Sequence, residues 1–212
     1  MREFIHKKLI CSTVLAAALL TGAQALAGNQ LYEPMTASVR SALHKAVSDH
    51  AAPFLAFSTA GEARSWLDAM SRKLERRIPD RALREEFLAT VHYEAKRAGL
   101  DPQLVLGLIQ VESAFRKYAV STAGARGLMQ VMPFWINVIG GNDDNLFHLR
   151  TNLRFGCVIL RHYIDIEKGD LYRALGRYNG SLGRPEYPNM VLAAWGQWDF
   201  SAAPPGVIKT SH

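Results

Sequence analysis

Apolar residues recur three and four positions apart along most of the chain, and no stretch alternates convincingly with a period of two. That pattern predicts helices and no strands. A first helix is expected near Ala37–Val47, in an Ala/Ser-rich stretch followed by the segment Pro53-Phe-Leu-Ala-Phe57. Glu62–Ile78 is amphipathic and is broken by Pro79-Asp80. Arg81–Ala98 follows and ends at Gly99, a residue suited to the left-handed position after a helix. Asp101-Pro102 opens the next helix, Pro102–Ala114, with Asp at the N-cap and Pro in the first turn. Beyond it come a short helix over Pro133–Ile139 closed by Gly140-Gly141, a polar loop at Asn142–Asn145, and a long helix over Asn152–Lys168 with Asn152 as its cap. Asp170 caps a short helix, Leu171–Tyr178. A loop over Gly180–Pro188 leads to a last helix from Pro188 to Trp195, and the stretch from Ser201 onward has two prolines and no periodicity.

The first 27 residues read differently. Arg2, Lys7 and Lys8 precede the apolar or small run Leu9–Gly22, and Ala25-Leu-Ala27 is an A-x-A cleavage site before Gly28. This is the pattern of a secretory signal peptide, with an uncleaved N-terminal anchor as the alternative. The run is short for a bilayer span, and Cys11 lies inside it, not just after a cleavage site, so neither a lipoprotein nor a stable membrane anchor is expected. The expected destination is the periplasm or the exterior. Removal of the leader lowers the net charge from +6 to +4, with 22 basic and 18 acidic residues left. A mildly basic surface is compatible with an anionic partner such as a cell wall. The basic cluster Arg72–Arg77 has no interleaved aromatics, and no nucleic-acid partner is expected. With the leader gone only Cys157 remains. It is at helical spacing with Leu153, Leu160 and Ile164, and is read as a small buried hydrophobe.

Candidate chemistry centres on Glu112. Val105 and Leu108 precede it by seven and four positions, so all three share one helix face, while Gln103 and Gln110 mark the polar side. A carboxyl group held against apolar side chains is costly to ionise and holds a proton toward neutral pH, as a glycosidic leaving group requires. The alternative is a helix-end glutamate turned to solvent. After Glu112 comes the small-residue loop Ser121–Gly127. Its Gly124 and Gly127 permit positive φ or close backbone approach, and Ser121, Thr122 and Gln130 supply neutral groups for sugar hydroxyls and amides. The same loop also reads as a plain helix–helix connection, and Tyr178-Asn179 as a packing aromatic followed by a C-terminal cap.

The order and spacing of these pieces resemble the soluble lytic transglycosylase family (SLT domain, goose-type lysozyme-like fold) over roughly Glu86–Trp195. Glu112-Ser113 matches the family's Glu-Ser at a helix end, and Gly127-Leu128-Met129-Gln130 matches Gly-Leu-Met-Gln letter for letter. Arg177-Tyr178-Asn179 stands for Ala-Tyr-Asn, and Asn152-Leu-Arg-Phe-Gly156 is like the Asn-x-x-x-Gly helix start. Tyr187 and Val191 fill the place of a later Tyr and Val. Two departures stand out: Arg177 in place of Ala, and Ser181–Tyr187 in place of an Ala-Gly-Pro-Gly loop.

The resemblance implies an all-α, lysozyme-like catalytic domain over 86–200, preceded by an N-terminal helical extension over 28–85 and followed by a flexible tail over 201–212. It implies that Glu112 protonates the bond between N-acetylmuramic acid and N-acetylglucosamine, then draws the proton from the muramyl C6 hydroxyl as it closes on C1, giving a 1,6-anhydromuramyl end. By the same resemblance Ser121 and Gln130 contact the acetamido group or orient the acid, Met129 and Met132 line the sugar subsites, Tyr178 holds Glu112 or the sugar, and Asn179 binds the adjacent N-acetyl group. Ser113 is expected to be structural. The expected partners are peptidoglycan glycan strands, with a secretion or pilus apparatus as a further one.

Two other readings compete with it. One is a goose-type muramidase using water, which needs a second carboxylate such as Asp143 or Asp144. The other is a non-catalytic wall-binding or secretion-associated subunit. His92 and His162 lack metal-ligand spacing, Gly180-Ser-Leu-Gly183 is not a nucleophile elbow, and neither a phosphate loop, a cofactor nor a metal is expected.

Overall fold

A computed structural model describes residues 29–48, 54–141 and 143–200. The expected leader with Cys11 and its cleavage site, the tail from Ser201, and Pro53 and Asn142 of the expected loops lie outside the described residues. Eight helices are found among those described: α1 (Ala37–Val47), α2 (Ala60–Leu74), α3 (Arg81–Arg97), α4 (Pro102–Ser113), α5 (Phe134–Ile139), α6 (Leu149–Ile166), α7 (Leu171–Asn179) and α8 (Glu186–Gly196). No strand is present among them. Two isolated bridges, Val120 with Arg126 and Arg126 with Val131, are the only β pairings described.

The caps explain most of the boundaries. Asp80, Asp101 and Asp170 accept backbone N–H groups of Leu83, Gln103 and Arg173 at the starts of α3, α4 and α7. Two starts differ from expectation. Helix α6 begins at Leu149 after His148, and Asn152 lies inside it, its side chain spent on the loop before the helix rather than on a cap. Helix α8 begins at Glu186, with Pro188 in its first turn, where a missing N–H has no helical partner to lose.

Helix α6 is central. Every residue from Asn152 to Leu160 is buried, so packing surrounds it on all sides. Helices α3 and α7 lie against it, and α1 packs on both α5 and α6. Val47 of α1 and Trp66, Met70 and Leu74 of α2 join the same hydrophobic core as α4 and α6. Helix α4 packs closely on α8: a Cβ at Gly107 would lie 2.7 Å from the Trp195 backbone nitrogen. That approach brings the first turn of α8, which carries Tyr187, against the last turn of α4, which carries Glu112. Among the described residues no helix is long and apolar enough to cross a membrane.

Candidate active site

Helix α4 ends abruptly. Ala114 adopts a left-handed conformation (φ 50°) and Phe115 follows at φ 66°. Neither residue is glycine, and each such conformation costs about 1–2 kcal/mol. The reversal leaves Glu112 on the last turn, facing inward and only 3% exposed. The apolar-face reading of this residue therefore holds, and the solvent-facing alternative does not. Ser113 is also buried and its hydroxyl bonds back to the Ile109 carbonyl at 3.2 Å, the structural part expected of it.

Glu112 opens onto a cleft of about 870 Å³. One wall is the end of α4, from Gln110 to Ala114. A second is the loop over Ala119–Ala123 together with Gln130. A third is Asn179, Gly180 and Ser181 at the end of α7, joined by Asn29 and Arg184. Glu112 is the only carboxylate among the described residues lining it, and Arg116 and Arg184 are the lining cations.

The hydroxyl that meets the acid is Tyr187's, donating to Glu112 Oε1 at 2.5 Å. Burial first, and the Glu112 charge second, push the Tyr187 hydroxyl well above the ordinary tyrosine range, so it stays a donor. Tyr178 does not play the part expected of it toward the acid. Its buried hydroxyl donates to the Met129 carbonyl at 2.7 Å, and it too is pushed well up, by burial and then by Glu112.

The second motif is a tight turn. Gln130 sits at φ 48°, and its Nε2 donates to the carbonyls of Gly127 (2.8 Å) and Ala119 (3.2 Å). Gly127 (φ 76°) is required by a close approach to protein, not to a ligand: a Cβ there would run into the Asn152 amide and come within 2.6 Å of the Leu146 carbonyl. Asn152 holds the turn from beneath, accepting from Met129 N and donating to the Arg126 and Leu146 carbonyls at 2.8 Å each. Met129 is therefore a core residue, fully buried beside Gly156, and Met132 is half-buried outside the cleft lining. The expectation that these two methionines line the sugar subsites is corrected accordingly: the turn directs their side chains into packing.

Of the other expected site residues, the structure brings Ser121, Gln130 and Asn179 to the cleft with Glu112. Ser121 Oγ accepts from Ala125 N at 3.1 Å, shaping the loop that Gly124 closes at φ 89°. Asp143 is exposed, Asp144 caps Gly141 N at 2.8 Å, and neither lines the cleft. Cys157 is fully buried and burial pushes its thiol well up, as suits a packing residue. Among the described residues no cluster of potential metal ligands is found.

Sequence reasoning placed Tyr187 only as the counterpart of a family tyrosine, and missed Gln30, Asn29 and Asn152 as parts of the site. Periodicity does not flag them, since each acts through a fold-dependent contact made far along the chain.

The site is thus one buried carboxyl group at a helix end, held by a tyrosine hydroxyl, beside a cleft whose lining combines neutral amides with Arg116 and Arg184. Residues 89–187 match the family model described as the transglycosylase SLT domain. The chain is 56% identical over 48 residues to a membrane-bound lytic murein transglycosylase C of Actinobacillus pleuropneumoniae serotype 5b, covering 23% of this chain and 13% of that protein. It is 42% identical over 83 residues to the protein of the same name from Glaesserella parasuis serovar 5, covering 35% and 23%. It is 33% identical over 114 residues to the transglycosylase of Enterobacteria phage PRD1, covering 50% and 42%. The chain thus spans less than half the length of these relatives. Among solved structures, an inactive mutant of the lytic transglycosylase Slt from Pseudomonas aeruginosa aligns with a TM-score of 0.47 and 23% identity, over 62% of this chain and 30% of that one.

Proposed function

We propose that this chain is a peptidoglycan lytic transglycosylase that cleaves the bond between N-acetylmuramic acid and N-acetylglucosamine without water. The observation that carries the reading is the placement of one buried glutamate, Glu112, in a cleft that presents no second carboxylate among its described lining residues. Hydrolysis by the two-carboxylate route needs a partner to activate water, and among the described residues no second carboxylate lines the cleft. Intramolecular attack needs none.

In this reading protonated Glu112 gives its proton to the glycosidic oxygen as the C1–O bond breaks, and the substrate's own acetamido oxygen supports the cationic C1. The resulting carboxylate takes the proton of the muramyl C6 hydroxyl as O6 bonds to C1. Atoms balance: an anhydromuramyl end and a free N-acetylglucosamine 4-hydroxyl are formed, and Glu112 is protonated again. Tyr187 holds the carboxyl group in one orientation through both steps. Gln130, Ser121 and Asn179 offer amide and hydroxyl partners for N-acetyl groups, while Arg116 and Arg184 favour the carboxylates of peptide stems. Action on the wall places the working protein in the periplasm or outside the cell, after removal of the leader near Ala27. Service to a secretion or pilus apparatus belongs to this proposal only as one route by which such an activity is used.

The test is mass spectrometry of purified peptidoglycan digested by the protein. Anhydromuramyl ends are expected, and reducing muramyl ends would overturn the reading in favour of a muramidase. In parallel, Glu112→Gln is expected to lower turnover by roughly 10³-fold or more, the scale of losing the essential proton donor. Undiminished clearance by this variant would remove the catalytic role altogether.

A further inference from the structure

The segment before α1 has no regular structure, yet it is tied to both motif-bearing loops. Asn29 N donates to the Asn179 carbonyl at 3.3 Å. The Gln30 amide bonds in both directions, Nε2 to the Gln130 carbonyl at 3.2 Å and Oε1 from Met132 N at 3.1 Å, and the same side chain reaches Tyr178. Tyr32 sets its ring edge-on to Phe134, with centroids 6.0 Å apart. Glu33 pairs with Arg177 at 2.5 Å, and Arg177 in turn binds Glu167.

Three features raise this beyond loop packing. Gln30 is 2% exposed, and a buried amide is tolerated only when its bonds are made. Its two bonds hold the peptide groups on either side of Val131, and the first of them fixes the carbonyl of Gln130, the residue at φ 48° that lines the cleft. A strained conformation persists only where its surroundings over-determine it, and Gln30 supplies that constraint from 100 positions away. Arg177, the departure from the family's Ala-Tyr-Asn, is the residue that anchors the segment through Glu33. Finally, Asn29 itself lines the cleft, and its carbonyl stands where a Cβ at Gly180 would fall.

We propose that Asn29–Glu33 is a strap built into the catalytic cleft: Gln30 is a positioning residue that holds Gln130 and the third motif at their working separation, and Asn29 is a substrate-contacting wall of the sugar subsite at the Asn179 end. This inference rests on the proposed glycan-cleaving function. It adds that the third motif's substitution and the N-terminal segment form one device, in which the arginine fixes the strap that shapes the subsite.

The test uses the full mature chain carrying Gln30→Ala, Gln30→Glu or Asn29→Ala, with kcat and KM measured separately on soluble glycan strands. Gln30→Ala is expected to lower kcat roughly 10- to 100-fold, the scale of a misplacement near 1 Å. Its KM should change by less than about 3-fold, its thermal midpoint should be retained within a few degrees, and the Met132 amide should exchange at least tenfold faster. Gln30→Glu keeps an acceptor for Met132 N but sets a buried carboxylate oxygen against the Gln130 carbonyl, so it should lower kcat at least as far as Gln30→Ala. Asn29→Ala keeps its backbone bond and should act mainly on KM, raising it about 3- to 10-fold. Wild-type kcat in Gln30→Ala overturns the positioning role, and wild-type KM in Asn29→Ala overturns the subsite wall. Hydrolytic products sink the proposed reaction while leaving the strap to be judged by these same ratios. If the wild-type protein turns over no glycan, affinity for tri-N-acetylchitotriose decides: a drop of at least fivefold in Gln30→Ala sustains the strap, and unchanged affinity overturns it.

Discussion

The Tyr187 hydroxyl donates to Glu112 Oε1 across 75 positions of chain, and the contact exists because Gly107 lets α8 settle directly on α4. Tyr187 therefore orients the acid rather than merely packing beside it. Tyr187→Phe keeps the ring and removes one hydrogen bond to the acid. It is expected to lower kcat by about 10- to 100-fold, as a loss of roughly 1.5–3 kcal/mol of orientation implies. Steady-state kinetics with a melting curve in parallel checks this, and a Phe variant as active as wild type would reassign the acid's orientation to another group.

The close approach of α4 and α8 gives a second expectation. A methyl group at Gly107 would meet the Trp195 backbone, which has no flexible atom to yield. Gly107→Ala should push α8 outward, carrying Tyr187 away from Glu112. The expected result is a loss of activity larger than that of Tyr187→Phe, with a stability cost of about 1–3 kcal/mol from overpacking. Both effects are read in one thermal melt and one activity assay. Full activity would mean that the helices part without moving the tyrosine.

Much of the helical frame was legible in the chain because it is written locally. The Asp101-Pro102 start, the Pro79-Asp80 break, the Asp170 cap and the apolar spacing up to Glu112 each specify an element by neighbouring residues alone. The start of α6 was misplaced for the opposite reason. Asn152 looks like a cap by type and is instead drawn into the helix by the Met129 N–H and the Arg126 and Leu146 carbonyls, none of which a local pattern reveals. The site divides in the same way. Glu112, Gln130 and Asn179 were marked by motif and Ser121 by its place in the small-residue loop, whereas the parts of Met129 and Met132 depended on which way a compact turn directs its side chains, and that of Tyr178 on the Met129 carbonyl the turn presents.

A buried charge cluster escaped sequence reasoning altogether. Glu94 on α3 is 1% exposed and faces Arg154 at 3.0 Å, Arg150 at 3.2 Å and Arg97 at 3.4 Å. Arg154 and Arg97 also donate to the Val47 and Ala46 carbonyls, so the cluster fastens the end of α1 to α3 and α6. Removing the anion leaves the buried Arg154 guanidinium, and the half-buried Arg97 and Arg150, without their shared counter-charge. Glu94→Gln is expected to cost about 3–5 kcal/mol, or a fall in Tm of roughly 6–20 °C for a chain of this size. Differential scanning calorimetry checks it. A shift under about 2 °C would show that the arginines find water instead.

His92 is expected to contribute to the pH dependence of stability. Its ring is buried between Phe57, stacked at 4.4 Å, and Trp66, edge-on at 5.0 Å, and burial followed by the nearby Lys96 charge lowers its pKa to about 4. In the unfolded chain the imidazole titrates near 6.5. Between these values the unfolded state binds the proton and the folded state does not, so stability rises with pH across this window. The neutral ring's full contribution is present above about pH 6.5 and drains away as pH falls toward 4, where it levels off. His92→Phe retains an aromatic ring without a proton to bind. It is expected to flatten the fall of Tm between pH 6.5 and 4 while leaving the Tm at pH 8 nearly unchanged. Melts of both proteins at half-unit pH intervals decide the matter, and parallel curves would move the acid sensitivity to the carboxylates.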